Sequence, residues 1–208
     1  MSILSSLITN YPALAPCEAA INAAFGQLKT TYQNGGKVLV CGNGGSAADS
    51  EHIVGELMKG FMQRRELPPA ARAKIMASAG EYGEYICNNL QGALPAISLV
   101  SQSALISAYS NDVAADMIFA QQVYGYGKPG DSIIGLSTSG NAKNVIHAMY
   151  TAKALGLATI GLTGSGGGAL KNICDITICA PSDSTPKIQE YHLPIYHSLC
   201  MMIETEFF

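Results

Sequence analysis

The chain has 208 residues, 48% of them hydrophobic and only 13% charged, with a formal net charge of −3 and a pI of about 5.8. That length suits one domain with a sizeable core. No basic stripe marks a nucleic-acid partner, no apolar run reaches the ~18 residues of a membrane span, and the opening MSILSSLITNYP lacks the basic and apolar regions of a secretory signal.

A mean hydropathy of +0.20 is high for a chain with so few charges. Surface without charge to cover it is expected to be buried between subunits, so a homo-oligomer is expected. The six cysteines are scattered without a CxxC pair. They read as reduced, mostly buried thiols of a cytoplasmic protein, not as a zinc–thiolate site.

In chain order, the spacing of Ala20, Ala24, Phe25 and Leu28 predicts a helix from Pro12 to Gln33, stopped by Asn34-Gly35-Gly36. KVLVCG (37–42) reads as a short strand. After a glycine loop a helix is expected from Ser46 to Phe61, with Ser46 and Asp49 as a variant capping box. Residues 62–95 carry arginines, prolines, glycines and a helical patch, AARAKIMAS, but no strand. They read as an excursion from a single 1–208 domain. AISLV (96–100) is a strand, SALISAYS a helix-like segment, and AADMIFAQQVYGYG a helix. KPGD turns into the strand of SIIGLSTSG, and NAKNVIHAMYTAKALG is amphipathic. ATIGLTG and ITICA are two more strands. The last segment, from TPKIQEYHLP onward, is a helix with Thr185 as N-cap, Pro186 at its first position and Pro194 as a kink. Strands alternating with helices define an α/β fold with a parallel sheet covered on both faces. Ligands of such sheets sit outside the carboxyl ends of the strands.

Two loops leave strand ends there, CGNGGSAA and LSTSGNAKN, each rich in small residues and each running into a helix. Free backbone N–H groups and the positive end of the helix dipole favour an anion such as a phosphate. Ser137, Thr138 and Ser139 add hydroxyl donors. Neither loop matches the nucleoside triphosphate P-loop. His52 and Glu56, four apart, share a helix face, as do Gln189, Leu193 and His197. Together they suit a divalent metal such as zinc or direct proton transfer. By spacing alone, the reading that prevails is a surface ion pair for His52–Glu56 and a core histidine for His197. His147 and His192 read as structural.

The motifs CGNGGSAADSEHIVGEL, SND, LSTSGN and IQEYHLPIYH, in that order, resemble the sugar isomerase (SIS) domain family, and within it the phosphoheptose isomerases. The resemblance runs from about residue 15 to the C-terminus, apart from 62–95. It implies a three-layer α/β/α sandwich of flavodoxin-like type and a homotetramer with sites at subunit interfaces. The implied reaction is aldose–ketose isomerisation of a phosphorylated sugar through an enediol. By matching position, Glu56 would be the catalytic base and His197 its acid–base counterpart. His52, Glu56, Gln189 and His197 would hold zinc. Asn43, Gly44, Gly45, Ser46, Glu56, Asn111, Asp112, Ser137, Thr138, Ser139 and Gln189 would bind substrate. The chain departs from the family at Ala142, where a phosphate-binding serine is expected. It also lacks an acidic residue before IQE, where Lys187 is placed to meet the phosphate instead. The stretch 62–95 stands as an insertion. A non-catalytic SIS module, such as a replication-initiator-associating protein, and an isomerase of another phosphosugar are the competing expectations.

Overall fold

The computed structural model describes residues 1–208. Five strands, β1 (Val38–Gly42), β2 (Ala96–Ser98), β3 (Ser132–Leu136), β4 (Ala158–Thr163) and β5 (Ile176–Cys179), form one sheet in the order β2-β1-β3-β4-β5. Every pairing is parallel. The register sets Val38 beside both Ala96 and Ser132, and Ile134 beside Ile160. This is the flavodoxin-like order. The chain moves from β1 to one side and then crosses to the other, so the switch point lies between β1 and β3.

Alternation along the strands divides the core into two layers. Val38, Val40, Ile134, Leu136, Ile160 and Leu162 face one side, where α1 (Ile3–Asn10), α2 (Glu18–Gln33), α3 (Gly45–Met58) and α10 (Thr185–Phe207) cover them. Leu39, Cys41 and Ile133 face the other, under α7 (Ile118–Tyr126), α8 (Lys143–Ala154) and α9 (Leu170–Ile173). β1 and β3 are buried throughout, as a parallel sheet between helical layers must be. The expected three-layer α/β/α sandwich is the observed fold. All six cysteines are free, and no helix is long and apolar enough to cross a membrane.

Several element ends differ from expectation. The helix expected from Pro12 begins as a 3₁₀ segment, Pro12–Cys17, because Pro16 removes an amide donor from the first turns. Helix α1, capped by the Ser2 hydroxyl on the Ser5 amide, precedes it. Between α3 and β2 the excursion carries α4 (Pro69–Ala79) and α5 (Gly83–Asn89) and no strand. α6 (Ser103–Tyr109) continues into a π turn, Ser110–Ala114, and a 3₁₀ turn, Ala115–Met117, before α7. Thr185 is the first residue of α10, not its cap. Ser184 holds the cap position, and Pro194 is accommodated inside a continuous helix.

The capping box expected from Ser46 and Asp49 is not formed. The cap of α3 is Gly44, at φ +57°, with no side-chain bond to the first turn. Ser46 lies inside the helix, and its carbonyl accepts from the Ser50 hydroxyl. A left-handed cap turns the chain directly from strand to helix, which leaves the first amides of α3 clear of side-chain acceptors.

His192 is fully buried, with Nε2 3.2 Å from the Thr163 carbonyl and Nδ1 without a partner. Burial lowers its pKa to about 4, against a partial offset from that carbonyl. It is therefore neutral, with Nε2–H donating. Its folded pKa lies below its unfolded value of ~6.5, so the stability it contributes is fully present above pH ~6.5 and falls as acid carries the solution down towards 4. At ~1.4 kcal/mol per pH unit the loss is about 3 kcal/mol. Denaturant titration at pH 7.5 and 4.5 is expected to show this loss in the wild-type chain and much less of it in His192→Gln. Equal losses in both would remove His192 as the cause.

Candidate active site

Three loops meet at the carboxyl ends of β1, β3 and β4. The first carries Asn43, Gly44 and Gly45. The second carries Ser137 to Ala142. The third, Gly164 to Ala169, was not singled out in the sequence, although its GSGGG run follows a strand. Asn43 and Asn144 join the first loop to the start of α8 by two amide bonds, 2.9 and 2.8 Å. The second and third loops are zipped together. Gly164 N–H donates to the Thr138 carbonyl at 3.0 Å, Leu170 N–H to the Gly140 carbonyl at 3.1 Å, and Ala169 N–H to Asn141 Oδ1 at 2.9 Å. Beside them Thr138, Ser139, the Gly164–Gly167 backbone, Ser182 and Asp183 line a cavity of about 150 Å³.

Ser137 is buried, and its hydroxyl accepts weakly from the Ala142 amide at 3.4 Å. Ser139 is exposed, and its hydroxyl accepts from Asn141 N–H. Ala142 is the cap of the twelve-residue α8 and lacks the side chain that would close its first turn. Within that turn the Val145 amide is met by Asn144 Oδ1 at 3.0 Å. Lys187 is not at the phosphate loops: its ammonium pairs with Glu190 at 2.8 Å and lies over Tyr191. Asn111 and Asp112 sit in the π turn, exposed and bonded to each other at 2.8 Å. No hydrogen bond ties them to the loops.

Gly140 shows how tightly the loops meet. Its φ is +68°, and a Cβ there would stand 2.1 Å from the Gly167 carbonyl oxygen. Strained backbone costs ~1–3 kcal/mol, and the overlap adds to it. Gly140→Ala is expected to lose at least that much stability and to weaken inorganic phosphate binding severalfold. Calorimetry that found stability and phosphate affinity unchanged would contradict this packing.

Helix α3 carries the first loop into a second cluster. His52 Nε2 is 3.2 Å from Glu56 Oε1, and Glu56 Oε2 is 3.0 Å from the exposed Lys59. His197, from α10, brings its Nε2 to 3.4 Å from His52 Nε2. Phe61 closes over His197, with ring centroids 5.3 Å apart. The His52–Glu56 contact read from spacing therefore exists, but it is one edge of a larger cluster, and His197 is not a core residue. Burial lowers the His197 pKa, and the neighbouring His52 lowers it further against a pull from Glu56. Tyr196 and Asp49, which the sequence did not assign to the site, stand behind His52. The Tyr196 hydroxyl is 3.1 Å from Asp49 Oδ1 and 3.0 Å from His52 Nδ1.

Gln189 lies two turns before His197 on α10 and packs on Gly45, where a Cβ would be 2.6 Å from its amide nitrogen. It thus joins the first loop, not the His52–His197 contact. Two imidazoles and a carboxylate are the donor chemistry of zinc, and contacts of 3.2 and 3.4 Å are of the size expected between ligands of a tetrahedral ion at ~2.0–2.1 Å. Even so, no three His, Cys, Asp or Glu side chains are arranged to hold an ion. The donors fit zinc by type, and their geometry is incomplete.

Phosphate-type loops at the switch point of a doubly covered sheet, with an imidazole–carboxylate cluster on the helix behind them, define a SIS-domain protein. The SIS domain family model matches residues 13–81 and 70–164. The chain is 37% identical over 191 residues to the phosphoheptose isomerase of Rhodospirillum rubrum, covering 92% of this chain and 88% of that one. It is 35% identical over 199 residues to that of Akkermansia muciniphila, covering 96% and 92%. The solved phosphoheptose isomerase of Francisella tularensis superposes with a TM-score of 0.74 at 31% identity, over 99% of this chain and 100% of that one. The chain belongs to the phosphoheptose isomerase family of SIS-domain proteins, enzymes of the intramolecular oxidoreductase class.

Proposed function

We propose that this phosphosugar isomerase interconverts sedoheptulose 7-phosphate and D-glycero-D-manno-heptose 7-phosphate, the reaction that the name of its relatives suggests. The observation that carries the proposal is the convergence of Glu56, His52 and His197 on α3 and α10 behind the anion-binding loops. His52 lies seven residues along α3 from Gly45, about 10 Å of helix at 1.5 Å per residue. That separation suits a sugar of several carbons held by a phosphate at its far end.

In this mechanism the loops hold the phosphate, with Asn43, Gly44, Gly45, Ser46, Ser137, Thr138, Ser139 and Gln189 around the substrate. Asn111 and Asp112 reach the substrate only if another subunit or a movement of their turn brings them in. Glu56 removes a proton from C1 of the ketose, and the carbonyl at C2 takes up a proton to give the enediol. Glu56 then returns its proton to C2, while the C1 hydroxyl loses its own to leave the aldehyde. His197 carries the oxygen-bound proton from one oxygen to the other, and the atoms balance without a redox partner. We propose zinc at His52, Glu56 and His197, with Gln189 completing the set only if its amide turns away from Gly45; there the ion would supply positive charge beside the enediolate. Residues 62–95 are proposed to tune the choice of sugar.

A homotetramer in the cytoplasm completes the proposal. Its support is the scarcity of charge together with exposed apolar residues in and around the excursion, Met62, Tyr82 and Tyr85, each more than 60% exposed, and an α4 with no buried residue. Light scattering tests the assembly. The function is tested by NMR-monitored conversion of sedoheptulose 7-phosphate by chelated protein, with and without added zinc. Appearance of the aldose phosphate supports the proposal, and its zinc dependence supports the metal. Turnover of another ketose phosphate alone would replace the substrate. Silence across a panel of sugar phosphates would refute the enzyme assignment.

A further inference from the structure

We propose that a cavity in the 62–95 excursion is a second anion site, in which Arg64 and Arg72 together bind a phosphate group. The site is separate from the strand-end loops and does not rest on the isomerase reading. The chain has three arginines, at positions 64, 65 and 72. Only Arg65 has a carboxylate partner, the buried Glu204. Arg64 and Arg72 line a cavity of about 300 Å³ together with Glu66, Leu67, Asn88 and Leu90. That volume lies at the lower end of small-molecule sites, ~300–1,000 Å³.

Both guanidiniums are aimed by one residue. Arg64 Nη2 donates to the Asn88 carbonyl at 2.7 Å, and Arg72 Nη2 donates to Asn88 Oδ1 at 3.1 Å. Neither side chain makes another hydrogen bond within the chain. A guanidinium carries several N–H donors in a planar fork and no acceptor, so most donors of both arginines are left free. Such forks match the oxygens of a phosphate bidentately, which a lysine's point charge does not. Two like charges held on one asparagine, with no counter-charge of their own, are stabilised by an anion that meets both.

The frame around the pair is closed. Gly92 N–H donates to the Arg65 carbonyl at 2.9 Å and Gly60 N–H to Gln91 Oε1 at 3.0 Å, which ties the two ends of the excursion together. α5 packs on α4 so closely that a Cβ on Gly83 would be 3.1 Å from Met76. The buried Cys87 thiol stands 3.7 Å from the Arg72 carbonyl. The lining keeps a net positive charge, two arginines against Glu66. Glu66 pairs with neither arginine, so its carboxylate is free to accept from hydroxyl groups of a ligand. A phosphate ester of a polyol therefore suits the cavity better than free phosphate. Next to Arg64, Arg65 Nη2 donates to the Glu56 carbonyl at 2.8 Å, so a ligand that bridges Arg64 and Arg72 braces the segment leading to the proposed base.

The test is a ¹H–¹⁵N spectrum of the arginine Nε–Hε groups of the full-length protein, titrated with sodium phosphate and with glycerol phosphate at constant ionic strength. With only three arginines, single substitutions assign the signals, and Arg65 serves as the internal control. The expected result is a saturable shift of the Arg64 and Arg72 signals by both ligands, with a much smaller change at Arg65, no effect of sodium chloride, and tighter binding of the ester. In Arg72→Gln the Kd read at Arg64 is expected to rise about tenfold or more, as loss of a hydrogen bond to a charged group implies. Shifts that grow without saturating, or that chloride reproduces, overturn the proposal, and so does a folded Arg72→Gln that keeps wild-type affinity. If Arg72→Gln does not fold, the wild-type titration decides alone. Phosphate that binds as tightly as the ester supports the anion site and overturns the part given to Glu66. Saturable shifts in a protein that turns over no sugar phosphate support this site while the isomerase assignment falls; turnover without the shifts overturns this site alone.

Discussion

Glu56→Gln is expected to lower kcat by 10²–10⁴-fold, the usual contribution of a positioned acid–base group, while KM changes little. The side chain is only 12% exposed, held between His52 at 3.2 Å and Lys59 at 3.0 Å. An amide preserves its volume and most of its contacts but cannot accept the carbon-bound proton. Stopped-flow or NMR assay of the variant, with zinc content measured in parallel, separates the two roles proposed for Glu56. Lost turnover with zinc retained identifies a base. Lost turnover together with lost zinc identifies a ligand. A kcat within tenfold of wild type would remove Glu56 from the chemistry. Lys59→Met, which touches the same carboxylate from the exposed side, is expected to cost far less, because an exposed ion pair contributes under ~1 kcal/mol.

Arg65→Met is expected to destabilise the chain by ~3–5 kcal/mol, the cost of leaving one partner of a buried ion pair without the other. For a chain of this length that lowers Tm by on the order of 10 °C. Arg65 and Glu204 are each 1% exposed and meet at 2.8 Å. Glu204 also accepts from the Phe61 and Met62 amides at 2.7 and 2.8 Å. Burial opposes the Glu204 charge, but those two amides and Arg65 outweigh it and hold the carboxyl below its ordinary value. Arg65 donates as well to the Leu57 and Glu56 carbonyls, at 2.6 and 2.8 Å, at the end of α3. The ion pair therefore fastens the start of the 62–95 excursion and the last turn of α3 to α10, at the backbone of the proposed base itself. Adding Glu204→Gln to Arg65→Met is expected to recover part of the loss, since a neutral amide still accepts from the Phe61 and Met62 amides without an unpaired charge. Thermal unfolding of the two variants tests this. A double variant less stable than Arg65→Met would show that the carboxylate does not need the arginine.

The alternation of strands and helices was legible because local pattern and global fold agree: each strand is a short apolar run, and each helix carries its own apolar stripe. The two loops after β1 and β3 were legible for the same reason, since glycine and hydroxyl residues at a strand end have few other uses. The capping box was misread. Ser46 and Asp49 have the right spacing, but Gly44 makes the turn with its own backbone, and Asp49 accepts from the Tyr196 hydroxyl instead. The third loop was passed over because its glycines have meaning only beside Gly140, with which they pack from another strand. Arg65–Glu204 could not be read from sequence, because its partners are separated by almost the whole excursion, three further crossovers and most of α10.

By itself the sequence determined the layered α/β architecture, the end of the sheet where a ligand sits, and the helical faces that present His52 with Glu56 and Gln189 with His197. These are matters of periodicity and local backbone preference, which act over a few residues. Only the tertiary structure decided that His52 meets His197, that Tyr196 stands between His52 and Asp49, that Gln189 turns to Gly45, and that a buried arginine secures the end of α3. Each is a contact between α3 or its following segment and a helix more than a hundred residues away. No spacing encodes such a contact; it follows from the direction of the crossover and from the side chains that remain to be paired once the two helices pack.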